Sequence, residues 1–336
     1  MDLSTDYMGL ALRNPLVASA SPLSHTVEGV RRLAEGGVAA VVLHSLFEEE
    51  LAEEAARQTR LAEAGSESFA ESLSYFPAVA ETEWGPRAYL SLIERSVAAV
   101  DVPVIASLNG ATPGGWTGYA RAMEEAGAAA IELNLTFLPG DGQGSGREVE
   151  QRHVEILQLV KAEVTLPIAV KLSPYFSSIG EMARKLDDAG ANALVLFNRF
   201  LYPDIDSESL GLVADIGLSR SSEGRLPRAW IALLRGRVGA SLGASTGVEA
   251  PEDLAKYLLA GADVVMTTSS LLRHGPDHST VLLDGLSSWM ARKGFATVGA
   301  LRGRLAVSSS GDELTRPRAG YVAALRAANA TPRGPW

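Results

Sequence analysis

The chain has 336 residues, no cysteine, and a formal charge of −10 from 30 basic and 40 acidic side chains. Without cysteine it can form no disulfide, no thiolate nucleophile and no cysteine-ligated zinc or iron–sulfur cluster. The acidic balance argues against a nucleic acid or an anionic membrane surface as the main partner, and no apolar run approaches membrane-spanning length. With no signal-like N-terminal stretch either, we expect a cytoplasmic protein.

Short aliphatic runs alternate along the chain with amphipathic helical patterns. Several runs follow a glycine that ends a helical pattern, as at Gly127, Gly190 and Gly261. Uninterrupted aliphatic runs are typical of parallel strands that are buried on both faces. The predicted strands are Leu16–Ser19, Val38–Leu43, Val104–Leu108, Ala130–Asn134, Ile168–Leu172, Ala193–Phe197, Ser241–Ala244 and Val264–Thr267. The clearest predicted helices between them are Thr26–Glu35, Gly115–Ala126, Val149–Glu163 and Glu252–Ala260.

Eight such strand–helix units over about 270 residues predict an α/β fold, a (β/α)8 TIM barrel. A doubly wound sheet is the alternative, because periodicity cannot show whether a sheet closes. That alternative is weakened by the lack of a Gly-x-Gly-x-x-Gly sequence after the first strand. We expect one barrel domain over residues 1–295 and a helical extension over residues 296–336 that packs on the barrel.

Two stretches of the sequence are not accounted for by the eight strand–helix units of a minimal barrel. Residues Phe47–Arg87 form an acidic insertion after the second strand, predicted to be helical over Glu48–Glu63. Loops that follow barrel strands build the active-site face, so this insertion is either a lid or a solvated surface excursion. The extension carries two helical patterns, Ala296–Arg304 and Asp312–Asn329.

Chemistry in a barrel is carried by the C-terminal ends of its strands. Here those positions form a polar rim that offers hydrogen bonds and no metal-ligand cluster. His274 and His278 are spaced like metal ligands, but Pro276 lies between them and no glutamate accompanies them. The rim residues are Ala18, Ser19, His44, Ser45, Asn109, Asn134, Thr136, Lys171, Asn198, Arg199, Ser245, Thr246, Gly247, Thr268 and Ser269.

Two turns of this rim favour phosphate binding. Ser245–Gly247 follows the seventh strand, and Thr268–Ser270 follows the eighth just before a helical pattern. The loops after strands seven and eight, with a helix N-terminus, are the usual phosphate site of a barrel. The alternative is a pair of ordinary tight turns with a hydroxyl N-cap.

Single polar residues inside apolar strands are the other candidates. Lys171 ends a buried strand, where a lysine is costly unless it meets a partner. It could form a Schiff base, as in aldolases, or face the electron-rich edge of a flavin. Asn134 and Asn198 could bond a cofactor carbonyl or ring N–H, or be satisfied by neighbouring backbone.

Several segments in order resemble the dihydroorotate dehydrogenase family, the FMN-binding barrels of pyrimidine biosynthesis. They are Asn14–Leu16 leading to Ala18-Ser19, Glu132–Leu135, Val170–Phe176, Thr246–Val248 and Leu258–Gly275. The resemblance implies a flavoprotein oxidoreductase that oxidises a CH–CH bond, by removal of a proton and hydride transfer to FMN N5. It also implies a homodimer.

The resemblance assigns flavin contacts to the rim. The ring would meet the backbone at Ala18-Ser19 and the side chains of Asn134, Lys171 and Asn198, with Ser45 and Asn109 nearby. The turns at Ser245, Thr246, Gly247, Thr268 and Ser269 would hold the phosphate.

The substrate side departs from the family pattern. Phe137 stands where the family has its cysteine or serine base, and His44 stands where it has a lysine. His44, which titrates near neutral pH, is the first candidate for a replacement base, and Thr136 is the second. Asn198, Arg199 and Arg220 are candidates to bind substrate, the arginines by pairing with a carboxylate, unless they are surface residues.

Three functions follow. The first is an FMN oxidoreductase that acts on dihydroorotate or a related dihydropyrimidine. The second is a Schiff-base lyase that uses Lys171. The third is a flavin-binding subunit that passes electrons to a partner protein; an iron–sulfur relay would have to lie on that partner, because this chain has no cysteine.

Overall fold

A computed structural model describes residues 1–53, 56, 85–110, 117–135, 144–199, 204–213, 217–307, 322–323 and 325–327. The chain divides into two compact units, Met1–Ala306 and Val307–Trp336. Thr136, Phe137 and most of the predicted lid and second tail helix lie outside the described residues. Of the predicted insertion helix, residues 48–53 are described and are helical.

The larger unit is a closed barrel of parallel strands. Within the described residues the strands are β1 (Thr5–Tyr7), β2 (Leu10–Leu12), β3 (Leu16–Ala18), β4 (Ala40–Phe47), β5 (Val104–Gly110), β6 (Ala130–Leu135), β7 (Ile168–Leu172), β8 (Ala193–Leu196), β9 (Asp204–Asp206), β10 (Gly211–Val213), β11 (Ser241–Ala244) and β12 (Val264–Thr267). The barrel runs β3-β4-β5-β6-β7-β8-β11-β12 and closes back on β3. The predicted TIM barrel is therefore confirmed, and closure rules out the doubly wound sheet.

Helices connect the strands in the order the sequence predicts. Those bounded within the described residues are α1 (Val27–Glu35), α2 (Pro86–Ala99), α3 (Thr117–Glu125), α4 (Gly146–Glu163), α5 (Ile179–Asp188), α6 (Arg225–Leu234), α7 (Pro251–Ala260), α8 (Ser269–His274), α9 (His278–Lys293) and α10 (Val298–Leu301). Helix α4 starts three residues earlier than predicted, because Ser145 and Glu148 form a reciprocal capping box there.

An N-terminal hairpin covers the bottom of the barrel. Strands β1 and β2 pair antiparallel, and Tyr7, Met8 and Leu12 pack among the interior side chains of the barrel. The hairpin is anchored where strands begin: Met8 N–H donates to Ser241 Oγ at 3.1 Å, and Thr5 Oγ1 donates to the Asp263 carbonyl at 3.0 Å. The active end of the barrel must then be the opposite, C-terminal end.

The first part of the predicted extension belongs to the larger unit. Val298 and Leu301 of α10 are buried in its core, and Arg302 pairs with the buried carboxylate of Asp263 at 2.7 Å. The smaller unit begins at Val307. The domain boundary at residue 295 and the packing of the remaining tail on the barrel stay predictions.

Candidate active site

The upper half of the barrel interior is polar. Ile105, Ala130 and Ala169 belong to the apolar cluster inside the barrel. Side chains two residues further along a strand face the same way, so Ser107, Glu132 and Lys171 also point inward. Strand pairing places these residues side by side, with Ser107 opposite Glu132 and Asn134 opposite Lys171. An apolar floor thus supports a layer of hydroxyl, carboxylate, amide and ammonium groups.

A β-bulge decides which side chain β4 contributes to this layer. Val42 pairs with Ile105 and Ser45 with Ser107, so β4 carries one extra residue between these two pairs. Ser45 consequently points inward, and its Oγ lies 2.8 Å from Ser107 Oγ. The ring of His44 instead lies against His25, with centroids 3.9 Å apart, and edge-on to Tyr89 at 5.0 Å.

Lys171 and Glu132 form a buried ion pair. Their side chains are 8% and 1% exposed, and Lys171 Nζ lies 3.2 Å from Glu132 Oε1. Lys171 Nζ also donates to Ser19 Oγ at 3.2 Å, which ties β7 to the end of β3. Within the described residues the ammonium donates twice, so one of its three N–H groups is available to a ligand. An ion-paired ammonium is a cation and a hydrogen-bond donor, not the neutral amine that Schiff-base chemistry needs.

Asn134 sits beside the two inward-facing serines. Its Nδ2 donates to Ser107 Oγ at 2.9 Å and contacts Ser45 Oγ at 3.3 Å. Its Oδ1 is buried and has no hydrogen-bond partner among the described residues. A buried unpaired acceptor is costly, and a ligand N–H would satisfy it.

The predicted phosphate turns meet at the barrel rim. Gly247 N–H donates to Ser219 Oγ at 3.1 Å, and Ser219 Oγ lies 2.9 Å from Ser269 Oγ. Thr268 Oγ1 donates to the Ser19 carbonyl at 3.1 Å. The structure therefore brings together the turns after β8, β11 and β12, and joins them to the end of β3.

Arg273 holds the loop that carries Ser219 in place. Its guanidinium donates to the carbonyls of Ser219 and Leu218 at 2.9 and 3.0 Å, and pairs with Glu249 at 2.8 Å. The loop after β8 is thereby held against α8 at its backbone. Sequence reasoning did not single out Arg273 or Ser219.

The remaining predicted residues occupy different positions. Ala18 is buried at the end of β3, and Asn109 lies two residues beyond Ser107 on β5. Asn198 follows β8 and donates its backbone N–H to the Leu172 carbonyl at 2.7 Å. The Arg199 guanidinium pairs with Glu223 at 3.3 Å and contacts the Gly217 carbonyl. Arg220 is exposed, and its backbone N–H donates to the Glu223 carboxylate.

Glu132 is the main residue that sequence reasoning left without a role. Its signal was present: a lone acid in the apolar run of β6 and a lone lysine in the run of β7. Two opposite charges on consecutive buried strands, each at an inward position, have to meet or remain uncompensated. Ser107 gave no such signal, because a serine is common in a strand.

Comparison with known proteins agrees with this geometry. The family model described as dihydroorotate dehydrogenase matches residues 2–290, nearly the whole chain. The chain belongs to the dihydroorotate dehydrogenase family. Members of the family are generally FMN-binding oxidoreductases. The resemblance predicted from the sequence is confirmed, and the fold is that of the family.

Curated relatives are similar at modest identity. A putative dihydroorotate dehydrogenase A (fumarate) from Aeropyrum pernix is 28% identical over 72% of this chain and 87% of its own. The catalytic subunit of a dihydroorotate dehydrogenase B (NAD(+)) from Methanothermobacter thermautotrophicus is also 28% identical, over 90% of this chain and 97% of its own. This chain is therefore a divergent, dihydroorotate dehydrogenase-like protein.

The residues present fit the ring of a flavin. An isoalloxazine edge carries both an N–H donor and carbonyl acceptors, which match the unpaired Asn134 Oδ1 and the available N–H of Lys171.

Of the described helices, none is long and apolar enough to cross a membrane.

Proposed function

We propose that this dihydroorotate dehydrogenase-like protein binds FMN and oxidises the CH–CH bond of dihydroorotate or a related dihydropyrimidine. The observation that carries the proposal is that two buried groups lie on neighbouring strands in the polar layer. One is the cation of Lys171, and the other is the Asn134 oxygen, an acceptor without a partner among the described residues. The first group suits the negative charge of a reduced flavin, and the second suits its ring N–H. Bound FMN would supply the hydride acceptor.

Each part of the site has a separate task in this proposal. Lys171 holds positive charge against the flavin ring, and Asn134, with Ser45 and Asn109 nearby, fixes the ring's position. The backbone at Ala18-Ser19 would lie against the ring, and Asn198 would contact ring and substrate. Ser245, Thr246 and Gly247, together with Thr268 and Ser269, hold the phosphate. Ordered turns joined by hydroxyl groups support this last assignment.

His44 remains our first candidate for the base that removes the substrate proton; because the bulge in β4 turns its ring toward His25, it would act from outside the polar layer and not from beside Asn134. Burial, and then the neighbouring His25, lower the pKa of His44 to about 4, so its ring is neutral at neutral pH. A neutral imidazole can accept a proton, and its Nδ1 has no partner among the described residues. A pKa this low makes it a weak base, which predicts slow turnover. Thr136, the second candidate, lies outside the described residues.

Arg199 and Arg220 are weaker candidates for binding a substrate carboxylate. Arg199 is already paired with Glu223, so it would have to exchange a protein carboxylate for that of the substrate. The side chain of Arg220 is exposed, and the contact of Arg220 with Glu223 is made by its backbone N–H. The proposal therefore depends on the Lys171 and Asn134 pair and not on these arginines.

The direct test is to watch the flavin spectrum under anaerobic conditions. We expect purified protein to be yellow, to release FMN on denaturation and to be bleached when dihydroorotate is added. In the Lys171→Ala variant we expect bleaching to be lost. Unchanged bleaching of a His44→Ala variant would remove the assignment of His44 as base. A colourless protein that FMN cannot reconstitute would overturn the proposed function.

The pH dependence of stability tests the environment of His44. Its folded pKa of about 4 lies below the usual 6.5, so between these values the unfolded chain binds a proton that the folded chain does not. Stability should therefore fall as the pH drops from 6.5 to 4, by about 2 kcal/mol from this group after allowance for partial exposure. Urea titrations should show that the His44→Gln variant loses about 2 kcal/mol less stability than the wild type between pH 6.5 and pH 4. His274→Gln, which replaces an exposed histidine, should lose as much stability as the wild type.

A second candidate function is a flavin-binding subunit without dihydroorotate activity, which passes electrons to a partner protein. Phe137 at the family's base position favours it, since phenylalanine cannot accept a proton. The relative from Methanothermobacter thermautotrophicus is named a catalytic subunit, a name that implies a partner for that protein. In the spectral test, a bound flavin that dihydroorotate leaves unchanged would identify this function.

We also propose a homodimer. The hairpin of β9 and β10 exposes Ile205 and Leu212 by 73% and 74%, and Leu210 at its turn by 87%. Apolar side chains grouped on a projecting hairpin are typical of a protein–protein contact surface.

A further inference from the structure

One charged side chain of the barrel interior has no task in the proposed function. Glu132 is 1% exposed, lies in the polar layer, and contacts the ammonium of Lys171 at 3.2 Å. A carboxylate buried this deeply is expensive to maintain, and a serine or an asparagine could hold a lysine by a neutral hydrogen bond. Its presence calls for a task that depends on charge.

We propose that Glu132 is a positioning residue that holds Lys171 Nζ at the flavin and sets the reduction potential there, making it lower than Lys171 alone would give. This inference rests on the proposed flavin site. A lone buried ammonium would stabilise the negative charge of the reduced ring strongly. The carboxylate next to it offsets much of that effect, because both charges lie in a low-dielectric interior.

The groups around the Lys171–Glu132 ion pair contribute little charge of their own. Glu132 Oε2 has no partner among the described residues, and neither has the hydroxyl of Tyr7, which belongs to the apolar cluster inside the barrel. Burial and the nearby carboxylates raise the pKa of Tyr7 well above its usual value, so its hydroxyl stays neutral. Below the pair the barrel is filled by apolar side chains such as Ile105 and Ala169.

The contacts also fix the direction in which Lys171 reaches. Glu132 Oε1 and Ser19 Oγ both accept from Nζ at 3.2 Å, from β6 on one side and the end of β3 on the other. Two acceptors from different strands hold a flexible four-carbon stem in one place. Removal of the carboxylate would both free the stem and leave its charge uncompensated.

The test measures the flavin itself, on the FMN-loaded protein. At a fixed poise set by a reference dye, we expect the ratio of reduced to oxidised flavin to rise about tenfold in Glu132→Gln. Glu132→Asp keeps the charge but draws it back by one methylene, so it should shift the ratio in the same direction and by less. Glu150→Gln is the matched control, because Glu150 is a buried acid that pairs with Ser177 outside the polar layer.

The outcomes separate the inference from the function it rests on. A ratio in Glu132→Gln that equals the wild-type ratio, with flavin bound, overturns the role of Glu132. If that variant does not fold, an unchanged ratio in Glu132→Asp overturns it equally. An equal rise in Glu150→Gln would show a general effect of losing a buried acid, which also overturns it. Failure of the wild type to bind FMN instead refutes the proposed function.

Discussion

Replacing Lys171 with methionine is expected to lower the free energy of unfolding by about 3–5 kcal/mol, the cost of leaving one partner of a buried ion pair unpaired. The uncompensated group is Glu132, whose side chain is 1% exposed and whose second oxygen already lacks a partner among the described residues. Methionine fills a similar volume without adding a cavity. Urea-induced unfolding of the FMN-free protein, followed by circular dichroism, measures the loss.

A double variant separates charge from packing. Lys171→Met combined with Glu132→Gln removes both charges, so we expect it to recover most of the lost stability. Turnover should not recover, because the cation at the flavin is absent from both variants; a loss of about a hundredfold or more is expected. Equal stability of the single and double variants would mean that Glu132 is compensated by another group.

Replacing Gly247 with alanine is the second large expected effect. Gly247 has φ +68°, and an added Cβ would lie 2.5 Å from the Gly224 backbone nitrogen and 2.8 Å from the Arg220 carbonyl oxygen. Backbone cannot yield as a flexible side chain would, so the turns after β8 and β11 must separate. We expect a loss of about 2–3 kcal/mol in stability. We also expect FMN affinity to fall at least tenfold, because Gly247 belongs to the proposed phosphate turns and its N–H bonds Ser219, which links those turns.

Gly236→Ala is the matched control. Gly236 has φ +79°, but an added Cβ there meets nothing within 4 Å. It should therefore lose only about 1 kcal/mol from backbone strain and keep wild-type FMN affinity. Fluorescence quenching of FMN on titration with apoprotein measures the affinity. If the two variants bound FMN equally, the close approach at Gly247 would have no part in the phosphate site.

Much of the fold was predictable because its signals are local. A buried parallel strand needs an unbroken aliphatic run, and glycine marks the helix end before it, so all eight barrel strands were located from the sequence. Barrel closure was not local: it depends on β12 pairing with β3, about 250 residues apart along the chain. The hairpin of β1 and β2 was missed because each strand has only three residues, too few to show a period.

The candidate site was predictable where position alone decides it. Residues at strand ends had to meet at one rim, so the sequence could place Lys171, Asn134 and the turn residues there; their roles toward a flavin stay predictions. Contacts that depend on side-chain pairing were not, as with Arg273 and Glu132. Nor could the sequence show that Glu223 engages Arg199, because that pairing depends on the loop after β8.

The bulge in β4 determines which of two adjacent residues, His44 or Ser45, points into the barrel. In a regular strand, alternation from Val42 would turn His44 inward and Ser45 outward; the extra residue reverses this. Backbone geometry, not residue identity, thus determines whether an imidazole or a hydroxyl stands beside Asn134. Two relatives with identical residues here, one with the bulge and one without, would perform different proton chemistry at the same point. Alignment of this strand by sequence alone would equate positions that are not equivalent in space.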